Sequence, residues 1–254
     1  MSSTRLSIGI GRPSMLEYET FVYLDMEKTG STFIFRLLEK FSSERLLRRK
    51  RHAPMGANYD PKKFYFISVR NPLDCYLSLY SFGSAKRGRL YGQLRSRDRV
   101  EFYDGTAKGF ARWLEFVLDP ENAGLMSNGY AEAAIAQIMG LQTWRYLRLA
   151  VADADARFAS CERPDTVRGI YKAHKLPSFS VRHERFADDL CRLVEGPLQY
   201  AFPDPVRALD FARNGEPLNP SARVDAGDAR FRIPAALRRR LGEREWLLRE
   251  IFGY

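Results

Sequence analysis

Cysteine and histidine are scarce in this 254-residue chain, with three of each. Cys75, Cys161 and Cys191 are odd in number and far apart, which excludes a disulfide framework and gives no Cys-rich zinc spacing. His52, His174 and His183 are too few and too scattered to suggest a His-built metal centre. Long apolar runs are missing too: nothing approaches the roughly 20 consecutive residues of a membrane helix. The opening MSSTRLSIGIGRPS lacks the apolar stretch and small-residue cleavage site of a secretory signal. No internal repeat or low-complexity tract stands out. The expectation is a soluble, cytoplasmic protein.

Acidic residues are in deficit, with Asp+Glu 31 against Lys+Arg 41 and a formal net charge of +10. An anionic partner follows. Arginine dominates the basic set, which suits bidentate grip on phosphate or sulfate. What is plentiful is apolar, 45% of the residues, enough for one substantial core.

Phe21 to Leu24 form an apolar run rich in strand formers, and Phe64 to Val69 form another; both read as buried strands. Behind the first, Phe33, Ile34, Leu37, Leu38 and Phe41 recur at helical spacing, so a helix starts near Ser31. Behind the second, Asn71-Pro72 supplies an N-cap and a first-turn proline. Leu73, Tyr76, Leu77 and Tyr80 then mark the inward face of a second helix, with Ser78 opposite. Two strand–turn–helix units predict an α/β fold with a central parallel sheet flanked by helices. The C-terminal half reads as helix-rich: a helix through Phe110 and Trp113, a long one over 130–150, and a final helix or pair. A short strand is expected at Phe179 to Arg182, and an exposed basic loop at Lys86 to Arg99.

The turn Lys28-Thr29-Gly30-Ser31-Thr32 lies between a buried strand and a helix N-terminus, where backbone N–H groups and the helix dipole favour an anion. Lysine precedes the glycine, so this is not the Walker A order of a magnesium-dependent NTPase. A phosphate site working without metal is inferred, although the five residues also suit an ordinary strand–helix turn with a solvated lysine. Arg70 at the end of the second strand and Ser78 two turns down its helix could grip a further phosphate. A solvent-facing serine and a surface cation are the competing view.

Glu27-Lys28-Thr29-Gly30-Ser31-Thr32 resembles the 5′-phosphosulfate loop of sulfotransferases that use 3′-phosphoadenosine 5′-phosphosulfate (PAPS). Arg70 through Tyr80 resembles their 3′-phosphate motif, in which Arg and Ser stand eight positions apart. Val181 to Phe186 with Asp189 is similar to a further family segment, with His183 in place of the usual aromatic. Asn219 to Arg223 and Phe252-Gly253-Tyr254 resemble the C-terminal part of the bacterial carbohydrate-type members.

This resemblance implies a P-loop-like fold and one sulfotransferase domain over 1–254. Within it, 1–19 would be an N-terminal extension and 20–84 the nucleotide-binding core. Residues 85–175 would set acceptor specificity, and 176–254 would complete the fold. Lys28 would act catalytically on the leaving phosphate. Thr29, Gly30, Ser31 and Thr32 would hold the 5′-phosphosulfate, Arg70 and Ser78 the 3′-phosphate, and Ser221 and Arg223 would close over the nucleotide. A hydroxyl acceptor needs a general base. His52 is the candidate, since family members carry a His or Glu between the two motifs; a surface histidine after the run Arg48 to Arg51 is the other reading. Glu44 and Glu184 are the fallback bases, Glu184 better suited to a structural hydrogen bond.

The expected chemistry is metal-independent sulfuryl transfer from PAPS to a hydroxyl, releasing 3′-phosphoadenosine 5′-phosphate (PAP). The acceptor would be a glycan, a glycolipid or a glycosylated small molecule. It could be anionic or lipid-linked, drawn by Arg45 to Arg51 and Lys86 to Arg99. A phenolic or alcoholic natural product is the second choice, and a kinase the nearest enzymatic rival. A basic nucleotide- or nucleic-acid-binding protein without turnover is the alternative from another class. Nucleic acid is not the expected partner, because the basic residues are not interleaved with stacking aromatics.

Overall fold

A computed structural model describes residues 15–50, 56, 59–126, 129–130, 133–215 and 233–254. Strands Met15–Tyr18 (β1), Phe21–Leu24 (β2), Leu46–Lys50 (β3), Phe64–Val69 (β4) and Phe179–Arg182 (β5) form one sheet in the order β3–β1–β2–β4–β5. Strands β2, β4 and β5 are parallel, as expected. Two strands correct the all-parallel picture: β1 runs antiparallel to β2, and β3 antiparallel to β1. The sheet is therefore mixed, and Met15–Tyr18 belongs to it rather than to an extension. Strand β3 holds its place by charge: cross-strand Arg48 bonds Glu17 at 2.7 Å, while Leu46 and Leu47 stay 39% and 46% exposed.

Side chains of the inner strands alternate between two cores. Val22, Leu24, Tyr65, Ile67 and Val69 face one; Phe21, Tyr23, Phe66 and Val181 face the other. Helix Ser31–Phe41 (α1) buries Phe33, Ile34, Leu37 and Leu38 in the second core. Helix Pro72–Ser84 (α2) enters the first, with Asn71 Oδ1 accepting the Leu73 N–H at 3.0 Å and Pro72 at its first position. It is buried almost all round, so Ser78 is not on a wet face; it lies inside with Cys75, Tyr76, Leu79 and Tyr80.

The expected basic loop contains helix Arg89–Arg95 (α3), because Leu90 and Leu94, one turn apart, are buried together. Ala107–Leu118 (α4) carries Phe110 and Trp113 inward. The long helix expected over 130–150 is broken into a 3-10 turn, Ala134–Gln137, and helix Leu141–Ala150 (α5). Ala154–Arg157 (α6), Pro164–His174 (α7), Phe186–Glu195 (α8) and Pro205–Asn214 (α9) follow. The final pair is Ala235–Arg244 (α10) and Trp246–Phe252 (α11). Helices α1, α8 and α9 cover one sheet face; α2, α4, α5, α10 and α11 cover the other.

The break before α5 has a partner at the far end of the chain. Arg244 donates to the carbonyls of Gln137 at 2.8 Å and Met139 at 2.6 Å, to that of Ala136, and to the Tyr130 hydroxyl at 2.9 Å. The next residue, Glu245, caps α5 from outside, accepting from the Thr143 N–H at 2.7 Å, the Thr143 hydroxyl at 2.6 Å and the Tyr76 hydroxyl at 2.5 Å. A cation on carbonyls and an anion on first-turn amides both match the backbone dipoles. Among the described residues no helix is long and apolar enough to cross a membrane.

Candidate functional site

The C-terminal ends of β2 and β4 are neighbours, so the loops leaving them meet. After Leu24 the chain turns through two left-handed residues, Lys28 (φ 70°) and Gly30 (φ 92°), before α1 begins. Lys28 is a non-glycine residue held in a sparsely populated conformation, which persists only where the surroundings fix it. They do. The Thr29 hydroxyl donates to the Met26 carbonyl at 2.6 Å and lies 2.5 Å from the Ser68 hydroxyl, which in turn lies 2.6 Å from that of Tyr23. Gly30 rests on the Phe186 ring: a Cβ there would stand 2.7 Å from it.

Thr29 is fully buried and its hydroxyl is committed inward. It offers a ligand only its main chain, and its side chain anchors the loop instead. Ser31 and Thr32 are half-buried and open α1. The residue at its N-cap, Gly30, has no side chain to cap it, and its first turn holds no acidic residue. Its leading N–H groups thus keep the electropositive character of an uncapped N-terminus.

Arg70 follows β4 and sends Nη1 to within 3.4 Å of the Lys28 carbonyl oxygen, a long bond. Its Nε is buried without a hydrogen-bond partner among the described residues. The Lys28 ammonium lies 4.0 Å from the centre of the Phe82 ring. Phe82 is four positions beyond Ser78, so both sit on one face of α2. The structure thus brings Lys28, Thr29, Gly30, Ser31, Thr32 and Arg70 together, and turns the Ser78 face of α2 toward them.

The end of β5 completes the wall. Burial, and next the Arg70 charge, hold the His183 imidazole below its ordinary pKa. The His183 ring lies 5.9 Å from that of Phe186. Glu184 accepts from the Asn71 N–H at 2.6 Å and from the Tyr254 hydroxyl at 3.3 Å, a cross-link between α2 and the chain's last residues. Arg182 donates to the Phe252 carbonyl at 3.1 Å, and the buried Asp189 accepts its N–H at 2.9 Å. Glu44 accepts from Thr20, ahead of β2 and so at the opposite end of that strand from the loop. This placement removes Glu44 as a candidate base. His52, Ser221 and Arg223 lie outside the described residues.

Sequence reasoning missed Phe82, Phe186 and Arg145. Phe82 was reachable, one helical turn past Ser78. Arg145 had no local signal: it comes from α5, 118 positions beyond Glu27, and its Nη1 stands 3.2 Å from the Glu27 carboxylate. Cys75, buried in α2 with its thiol pushed up to about 12 by burial, is a packing residue. Compared with protein-family models, with curated proteins and with solved structures, the chain matches none.

Proposed function

We propose that this protein transfers a sulfuryl group from PAPS to a hydroxyl. One observation carries the reading: adjacent parallel strands end in a helix N-terminus with no capping side chain at Gly30, with Lys28 on one side and on the other a half-buried arginine, Arg70, whose Nε has no partner among the described residues. The electropositive end of a helix and a guanidinium with an unpartnered Nε suit an anionic ligand with two separate charged groups. The loop amides with the Ser31 and Thr32 hydroxyls would hold the phosphosulfate, and Arg70 with Ser78 the 3′-phosphate. Thr29 contributes rigidity.

In the transfer, the acceptor oxygen bonds to sulfur as the bond from sulfur to the phosphate oxygen breaks. The electron pair stays on that phosphate oxygen, where Lys28 and the α1 amides stabilise it. The acceptor proton passes to a base, for which His52 remains the proposal. These groups supply the charge stabilisation without a metal. A sugar hydroxyl on a glycan, glycolipid or glycosylated small molecule is the proposed acceptor, and the cytoplasm the proposed location.

The test is thermal stability with PAP, ADP and magnesium-ATP at equal concentration. A ligand at 100 times its Kd stabilises by about 2.7 kcal/mol, so PAP alone should give a large shift. No shift with PAP, or a larger one with magnesium-ATP, would sink the reading and favour a kinase. Lys28→Ala should then lower turnover by about 100- to 1,000-fold. His52→Ala should lose turnover while keeping the PAP shift.

A further inference from the structure

A carboxylate is an unexpected neighbour for an anion-binding lysine. Glu27 adjoins Lys28, and 23% of its side chain is exposed on the loop that would meet the ligand. Left alone, that charge would repel phosphate and draw the field of Lys28 onto itself. Arg145 changes this. Its side chain, on α5, is 6% exposed, and its Nη1 is 3.2 Å from Glu27 Oε2. Its Nε and Nη1 make no hydrogen bond among the described residues, so the approach of Nη1 to Glu27 is an ion pair.

Resting on the proposed function, we infer that Arg145 is the counter-charge that lets Glu27 sit in the anion loop, and thereby positions Lys28 for the donor. It acts through Glu27 rather than by touching the ligand, and so is a positioning residue. The pair also ties the loop to α5, in the stretch expected to set acceptor specificity. Screening by solvent is weak at so buried a guanidinium, so the neutralisation holds at physiological salt. The geometry favours charge cancellation over a purely mechanical role, and the two predict different behaviour when both charges are removed.

The experiment compares wild type, Arg145→Met, Glu27→Gln, the double variant and Arg145→Lys by calorimetric titration with PAP and, in parallel, inorganic pyrophosphate. Arg145→Met should bind about tenfold more weakly, because the Glu27 carboxylate then loses the Arg145 charge 3.2 Å away. Glu27→Gln should bind at least as tightly as wild type. The double variant should return to within about threefold, and Arg145→Lys should stay near wild type. Unchanged binding by Arg145→Met, or a double variant as weak as it, would overturn the inference. If Arg145→Met does not fold, the double variant and Arg145→Lys decide by the same criterion. A wild type that binds pyrophosphate but not PAP removes the sulfotransferase reading and leaves the pair measurable with pyrophosphate. Binding of neither ligand removes both.

Discussion

His183 stands where β5 gives way to α8, close enough to Arg70 to feel its charge. Burial and then Arg70 lower its pKa, while Glu184 and Asp74 pull it back. The neutral imidazole is the form the fold favours. Its contribution to stability is present above the usual value of about 6.5 and is lost as pH falls through the lowered folded value. An anion on Arg70 would cancel part of the repulsion, so the His183 midpoint should rise when PAP is added. NMR titration of its ring proton, with and without saturating PAP, checks this; an unmoved midpoint would separate Arg70 from the ligand. The residues legible in sequence were those whose setting is local. Lys28, Gly30 and Arg70 follow a strand and precede a helix, which apolar periodicity reveals. The inward setting of the Thr29 hydroxyl was not legible, because a hydroxyl in a loop looks the same facing in or out. Arg145 reaches Glu27 only through the tertiary fold.

Among the elements, β2, β4, β5, α1 and α2 were readable because each carries an unbroken apolar run or stripe between clear stops. Strand β3 was not. Its sequence, Leu-Leu-Arg-Arg-Lys, has no alternation and resembles a solvated basic segment. It becomes a strand because Glu17 on β1 offers an anion across the ladder. Lys63 reaches the same carboxylate at 2.8 Å and also the Tyr18 carbonyl at 2.9 Å. Burial alone would raise the Glu17 pKa, but the Lys63 and Arg48 hydrogen bonds outweigh it and hold the carboxyl below its ordinary value. With a lowered folded pKa, the stabilisation is present above the usual carboxylate range and disappears as pH falls through the lowered value. Lys63→Met should therefore cost about 2 kcal/mol at pH 7. Urea unfolding should show that gap narrowing in strong acid. A gap independent of pH would mean that the carbonyl contact, not Glu17, matters.

At the scale of the molecule, helices on both faces of a sheet with a parallel centre were expected, and the described residues have that layering. The antiparallel edge was missed because it depends on ion pairs rather than on apolar pattern. The split of 130–150 escaped notice for a related reason: its caps, Arg244 and Glu245, are supplied from over 100 residues away. Arg244→Met would strip donors from three carbonyls, of which those of Ala136 and Met139 are buried. It should cost at least about 3 kcal/mol, read by urea unfolding, without abolishing the PAP-induced shift in the protein that still folds.

That distant pair also bears on the order in which the protein can assemble. On a ribosome, β1 to α2 can gather their neighbours early, since β2 and β4 pair across some 40 residues. Helix α5 emerges with its first turn uncapped and the carbonyls before it unmet, and both wait until the segment carrying Arg244 and Glu245 has been made. Such long-range closure is slow. The sheet bearing the loop and Arg70 closes late too, since β5, α8 and α9, which pair with it and cover it, follow α5 in the chain. The Glu27–Arg145 ion pair would then form only at the end, making the loop around Lys28 one of the last features to mature.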